Sequence, residues 1–276
     1  MAETASIIDA WAQPALGQAR TPLPEVVRLI EKSGTSHLMQ ARLGPDEMLA
    51  AMDAAGIGKV LLTAWCRPEG WVFTNDDVAG FVRAAPNRFV GVATVDLGKP
   101  VAAVRELRRA VEELGCRALR IIPWLWRLPP NHRLYYPLYV ACIELGVPFC
   151  TQVGHTGPLM PSETGRPIPY LDEVALDFPE LTIVGGHIGH PWTAEMIGLA
   201  WKHDNVFIDT SAYLPRYYPA ELIQFLRSYG QDKVMFATNF PQLPFDRAVA
   251  QARELNLPED IAAKFFHANA RRVFGL

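Results

Sequence analysis

The sequence predicts an α/β fold: eight parallel strands, each followed by a helix, closed into one barrel that spans residues 1–276 as a single domain. Three observations predict it. Short β-rich runs alternate with helical patterns from end to end, eight times over. Several of those runs are almost continuously apolar, as strands covered by helices on both faces must be. No linker, low-complexity stretch or longer internal repeat interrupts the series. An open doubly wound sheet is the competing arrangement, but no Gly-x-Gly-x-x-Gly follows the first run, so its dinucleotide-binding signature is missing.

The β-rich runs lie at 7–9, 59–64, 89–95, 118–122, 148–153, 181–184, 206–209 and 233–236. Helical patterns lie between them. The one at 45–55 opens with Pro45-Asp46-Glu47, an acidic first turn that suits the helix dipole. The one at 101–114 places Val101, Val104, Leu107 and Val111 at helical spacing before Gly115. Others are expected at 75–84, 134–145, 170–178, 192–202, 219–229 and 245–254, with a last helix over 258–266. The Pro- and Gly-rich stretch 157–169 predicts a long loop after the fifth strand. In a (β/α)8 TIM barrel that loop lies on the face where sites are built.

Composition narrows the function classes. Half of the 276 residues are apolar, enough for a large core. A net charge of −3 and a pI near 6.2 give no electrostatic case for a nucleic-acid partner. The densest basic group, Arg105, Arg108 and Arg109, is expected to be a solvated helix face. No apolar run is long enough to span a bilayer, and residues 1–12 lack a basic start followed by a long apolar stretch, so a cytoplasmic protein without a membrane partner is expected. Cys66, Cys116, Cys142 and Cys150 form no Cys-x-x-Cys pair and read as reduced thiols. Cys66, after a strand, is the best candidate nucleophile among them, but no activating partner is visible.

In such a barrel the site lies at the C-terminal strand ends. Taken in order, these ends supply Asp9, Trp11 and Gln13; Trp65, Cys66 and Arg67; Asp96; Arg120, Trp124 and Trp126; Gln152 and His155; His187 and His190; Asp209, Ser211 and Tyr213; and Asn239. His155 and His187, each framed by glycine at the end of adjacent strands, are the sharpest internal signal, because a neutral imidazole serves as base or metal ligand near neutral pH. His190 either joins them or faces the following helix. Trp11, Trp65, Trp71, Trp124, Trp126, Trp192, Tyr213, Tyr217 and Tyr218 crowd the same rim and suggest a flat-walled pocket for an aromatic or unsaturated ring. Arg67, Arg120 and Arg216 are candidates to pair with a substrate carboxylate, with salt bridges to Asp9, Asp96 or Asp209 as the alternative.

The motifs Ile8-Asp9, Gly154-His155-Thr156-Gly157, Phe178 to Gly189, Ile208 to Ser211, Phe236 to Pro241 and Asn269 to Phe274 resemble the amidohydrolase superfamily, in the branch related to aminocarboxymuconate-semialdehyde decarboxylase. The resemblance spans essentially the whole chain. It implies a TIM barrel, and it implies either hydrolysis or nonoxidative decarboxylation, since that branch contains both. It makes His155 a metal-ligand histidine, and His187 a catalytic base or part of the metal surroundings. It also marks departures. The family's first strand carries Asp-x-His-x-His, and here Trp11 and Gln13 stand in the two histidine places; Asn239 stands where an aspartate usually binds metal and handles protons. Tryptophan offers no ligand lone pair, and Gln and Asn are weak neutral donors, so no tightly held metal and no cofactor are expected. A displaced site built by His155, His187 and Asp209 is the exception left open.

The expected function is therefore a metal-independent hydrolase of a small ring carboxylate or lactone, with His187 and His155 as acid–base groups and Arg120 and Asn239 stabilising the oxyanion. Trp11, Gln13, Trp65, Trp124, His190 and Tyr213 would help bind the substrate. The alternatives are a nonoxidative decarboxylase of an aromatic acid, and a non-catalytic ligand-binding relative. The partner expected is a small molecule, and the resemblance is compatible with a homodimer.

Overall fold

A computed structural model describes residues 6–276; residues 1–5, the start of the stretch read for a leader, lie outside the described residues. The eight expected strands are present: β1 (Ile7–Ala12), β2 (Ile57–Thr63), β3 (Phe89–Val92), β4 (Leu119–Ile121), β5 (Phe149–Gln152), β6 (Ile183–Gly186), β7 (Val206–Asp209) and β8 (Val234–Met235). They pair in parallel within two groups, β1 to β3 and β4 to β8. Parallel bridges close the seams between Ala93 and Leu119 and between Ala12 and Phe240. The result is a TIM barrel. β1 is buried at every position, which explains why its apolar residues do not alternate with polar ones; Asp9 is its one charged member.

Side chains set where several elements stop. β3 is expected to reach residue 95 but ends at Val92. Asn75 takes both backbone groups of Thr94: its Nδ2 donates to the carbonyl and its Oδ1 accepts from the amide, each at 3.0 Å. At the C-terminus the helix Glu259–Ala263 widens into a π turn over Lys264–Ala268. The Phe265 carbonyl there accepts from the Phe236 amide at 2.9 Å, so the helix end is tied to the strand end after β8.

Besides the short helices Ser36–Gln40 and Pro123–Trp126, two elements near the site are not predicted by the sequence. One is an antiparallel ribbon, Trp65–Arg67 against Gly70–Phe73, which follows β2 and folds over the barrel mouth. The other is the amphipathic helix Pro24–Ser33, ended by Gly34 in the left-handed conformation. Among the described residues, no helix is long and apolar enough to cross a membrane.

Candidate active site

The strand ends converge on a cavity of about 190 Å³. An apolar cavity of roughly 150 Å³ is known to hold benzene, so this volume suits a single six-membered ring with small substituents. β1 contributes Trp11 and Gln13, the ribbon Trp65, and the turn after β4 Ile122 and Trp124. β5 and its loop contribute Gln152, His155, Thr156, Gly157 and Pro158. His187 follows β6, Ala212 and Tyr213 follow β7, and Asn239, Pro241 and Gln242 follow β8. The helix Pro24–Ser33 covers the opening with Val26, Leu29 and Ile30. Among the described residues lining this cavity there is no Asp, Glu, Arg or Lys.

His187 opens onto the cavity and is enclosed by protein on its other sides. Its Nδ1 lies 2.6 Å from Ser211 Oγ, and Ser211 Oγ in turn bonds Asp209 Oδ1. Asp209 also accepts from the Ser211 amide at 3.0 Å. Because the serine hydrogen goes to the carboxylate, Ser211 Oγ is left to accept, and His187 carries its hydrogen on Nδ1. Nε2 is then the nitrogen with the free lone pair. Burial, reinforced by the nearby Arg120 guanidinium and by His155, pushes the His187 pKa down to about 3, which keeps the ring neutral at ordinary pH. Burial also raises the Asp209 carboxyl above the usual carboxylate range.

His155 is exposed at the mouth. Its Nδ1 lies 3.2 Å from the His190 carbonyl oxygen and 3.1 Å from the Tyr213 hydroxyl. The backbone here is tightly apposed: a Cβ on Gly154 would meet the His190 carbonyl oxygen at 2.6 Å, and the His155 amide donates to that oxygen at 2.7 Å. Glycine is therefore required beside the imidazole, in a conformation with φ +98°. This close packing brings His155 and His187, at the ends of β5 and β6, onto one cavity.

The β1 side is built differently. Trp11 is fully buried, with its ring 4.7 Å from His187 and 3.6 Å from the Arg120 guanidinium carbon. A Cβ on Gly186 would lie 2.5 Å from Trp11 Cζ3, so the indole occupies space that only glycine leaves free. Gln13 Nε2 donates to the carbonyls of Phe240, at 2.6 Å, and Asn239, at 3.2 Å. Asp9 is a clamp between β1 and β8: it accepts from the Thr238 amide at 2.9 Å, the Thr238 hydroxyl at 2.5 Å and the Trp11 amide at 3.1 Å. Burial raises its carboxyl to about 7.

Several sequence expectations are redistributed. Arg120 does not line the cavity; it lies beneath Trp11, its Nη2 donating to the Ala10 carbonyl at 2.9 Å, so it meets no substrate and cannot serve as the oxyanion donor. His190 stays outside the cavity and contributes its carbonyl to His155 instead. Arg67 pairs with Glu25 and Glu69, and Asp96 pairs with Lys99, rather than with substrate. Arg216 lies over Tyr217. Trp71, Trp126, Trp192, Tyr217 and Tyr218 are absent from the cavity wall, which leaves Trp11, Trp65, Trp124 and Tyr213 from the expected aromatic rim. Burial pushes the Cys66 thiol up to about 12, so it is no nucleophile. The sequence reading missed the covering helix, although Leu23-Pro24-Glu25 and the spacing of Val26, Leu29 and Ile30 carry the start signal and the apolar stripe. It also left Gln152 out of its chosen site residues.

The family-type metal does not fit these residues. Trp11 fills the β1 side with a side chain that cannot ligate, and Gln13, its Nε2 held by two backbone carbonyls, offers only a weak neutral amide oxygen. No group of three or more His, Cys, Asp or Glu side chains among the described residues is placed to hold a metal ion, which removes the displaced site of His155, His187 and Asp209.

A family model described as amidohydrolase matches residues 8–276. The chain belongs to the amidohydrolase family. A gamma-resorcylate decarboxylase from Rhizobium sp. is 24% identical, with 73% of this chain and 75% of the relative covered. Among solved structures, a TIM-barrel protein of uncharacterised function from Bordetella bronchiseptica is 26% identical with a TM-score of 0.84 over 98% of both chains. A dihydroxybenzoic acid decarboxylase from Polaromonas sp., solved with bound manganese, has the same fold: TM-score 0.71, 22% identity, 99% of this chain and 97% of that one covered. These relatives bear out the resemblance to the decarboxylase-containing branch. They correct the expected reaction: the named enzymes are carboxy-lyases, and the hydrolase of a ring lactone has no counterpart among them.

Proposed function

We propose that the protein is a nonoxidative carboxy-lyase of a small hydroxylated aromatic acid, working without the metal its relatives bind. The observation that carries this reading is the ring-sized, indole-walled cavity that contains two imidazoles and no Asp, Glu, Arg or Lys among its described lining residues. Loss of CO2 needs a proton delivered to the ring carbon that bears the carboxylate. The C–C bond then breaks, its electron pair restores the aromatic ring, and CO2 leaves.

His155, exposed at the mouth and so able to exchange with solvent, is the proton donor. The His190 carbonyl and Tyr213 hydroxyl accept from its Nδ1–H, so the proton given to the ring carbon is the Nε2 hydrogen of an imidazolium charged from solvent, and the imidazole is left neutral. His187, neutral and with Nε2 free, accepts a hydrogen bond from a ring hydroxyl and so raises electron density at the carbon to be protonated. A carboxylate held in a cavity without a Lys or Arg is poorly stabilised, while the charge in the transition state spreads into the ring; that difference favours decarboxylation.

The test is a panel of mono- and dihydroxybenzoates followed by CO2 release, with chelator-treated protein and with added manganese. Release of CO2 from at least one acid, at a rate unchanged by chelator, is expected. Turnover only with manganese would remove the metal-independent part. No release under either condition, with rings nonetheless binding, would leave a ligand-binding protein in place of an enzyme.

A further inference from the structure

Six polar atoms on the cavity wall are buried and have no hydrogen-bond partner: the amide oxygens of Gln13, Gln152 and Asn239, the Thr156 hydroxyl, and the indole Nε1 atoms of Trp11 and Trp65. The orientations of the two glutamine amides are fixed by backbone carbonyls. Gln13 Nε2 faces two backbone carbonyls, and Gln152 Nε2 faces the carbonyls of Gly154, at 3.1 Å, and His155, at 3.2 Å. Flipping either amide would set oxygen against oxygen, so each must turn its Oε1 to the cavity. Asn239 Nδ2 donates to Gln242 Oε1 at 2.6 Å, which leaves its Oδ1 free. All three side chains are more than nine-tenths buried, where an unpaired acceptor is costly.

A ligand that satisfies this wall must supply hydrogens to the amide oxygens and accept them from the indoles. A hydroxyl does both; a carboxylate only accepts, and it would face three amide oxygens with no Lys or Arg to offset its charge. We propose that Gln13, Gln152 and Asn239 form an accepting face that binds ring hydroxyls, so that the cavity holds the neutral hydroxylated ring in preference to its carboxylate. This rests on the ring-binding reading of the same cavity. It adds that the product of decarboxylation binds more tightly than the acid, so turnover is product-inhibited.

The test is calorimetric titration of the full chain at neutral pH with 1,3-dihydroxybenzene, 1,3-difluorobenzene and 3,5-dihydroxybenzoate. The first probe carries donors, the second is a ring of similar size without them, and the third adds the charge. Two hydroxyl hydrogen bonds predict about 10- to 100-fold tighter binding of the dihydroxybenzene than of the difluorobenzene, and the dihydroxybenzoate should bind about 10-fold or more weakly than the dihydroxybenzene. Equal binding of the first two, or tighter binding of the carboxylate, would overturn the inference.

Gln13→Met and Gln152→Met should each bring dihydroxybenzene binding towards the difluorobenzene value while leaving the latter unchanged. Should either variant fail to fold, since both amides also hold backbone carbonyls, the native titrations decide alone. Failure of the carboxy-lyase reading looks different: the hydroxyl preference persists and no CO2 appears.

Discussion

The two sides of the barrel mouth have been built to opposite purposes. On the β5–β7 side, His155 and His187 keep free ring nitrogens, and a chain of hydrogen bonds runs from His187 through Ser211 to Asp209. On the β1 side, Trp11, Gln13 and Asp9 are committed to packing, to backbone carbonyls and to the clamp on Thr238. One side can move protons and the other can only shape and hold a ring. On the proposed function, such a scaffold would do without the positive charge of a metal and keep proton chemistry, because the substrate's negative charge is consumed by the reaction.

The largest effects should come from the proton-handling side. His155→Gln is expected to lower kcat about 10²- to 10⁴-fold, the range for removal of a general acid, with little change in the affinity for 1,3-dihydroxybenzene. His187→Asn should also abolish most turnover while circular dichroism stays native. Full activity in either variant would erase the proposed division between the two sides.

The β1 side should respond in stability. Gly186→Ala drives a methyl into the Trp11 indole, because the added Cβ would lie 2.5 Å from Cζ3 and 2.9 Å from Asp209 Oδ2. Overpacking of this kind costs roughly 1–3 kcal/mol, and it should lower the urea midpoint by a corresponding amount. The decisive measurement is the double-mutant cycle with Trp11→Leu. If the indole is the obstacle, Gly186→Ala should cost clearly less in that background. Strictly additive effects would mean that the glycine serves the carboxylate or the backbone instead.

How much of this was legible depended on whether the signal was local. Val206-Phe207-Ile208 is an unbroken apolar run and reads directly as a strand; Gly154-His155 and Gly186-His187 carry the site in adjacent residues. Trp11 and Gln13 could be seen as poor ligands from their side-chain chemistry alone. Arg120 was misplaced because its position depends on Trp11, 109 residues earlier, lying across it at the barrel mouth. The same holds for His190, whose ring stays outside while its carbonyl is drawn to His155, 35 residues away. The early end of β3 depends on Asn75, 19 residues before Thr94, and no propensity within the strand reports it.

The smallest expected effect joins the two sides through pH. Asp9, on the β1 side, has its carboxyl raised from 3.8 to about 7 by burial. Between those pH values the folded chain holds a proton that the unfolded chain has lost, so this group lowers stability as pH rises through that window. His187, on the other side, has its pKa lowered from 6.5 to about 3 by burial. Between those values the unfolded chain holds a proton that the folded chain refuses, so this group raises stability as pH rises. Each slope is at most about 1.4 kcal/mol per pH unit. The two are opposite in sign and offset each other from about pH 4 to 6.5, while the Asp209 carboxyl, also raised by burial, adds to the downward slope of the wild type. His187→Asn removes one of them. Relative to wild type, the variant should therefore lose stability steadily as pH is raised across that interval, a difference that urea midpoints at three or four pH values would reveal. A constant difference would mean that the His187 imidazole is protonated as readily in the fold as in the open chain, and that the neutral ring on which the proposed proton chemistry depends is not maintained.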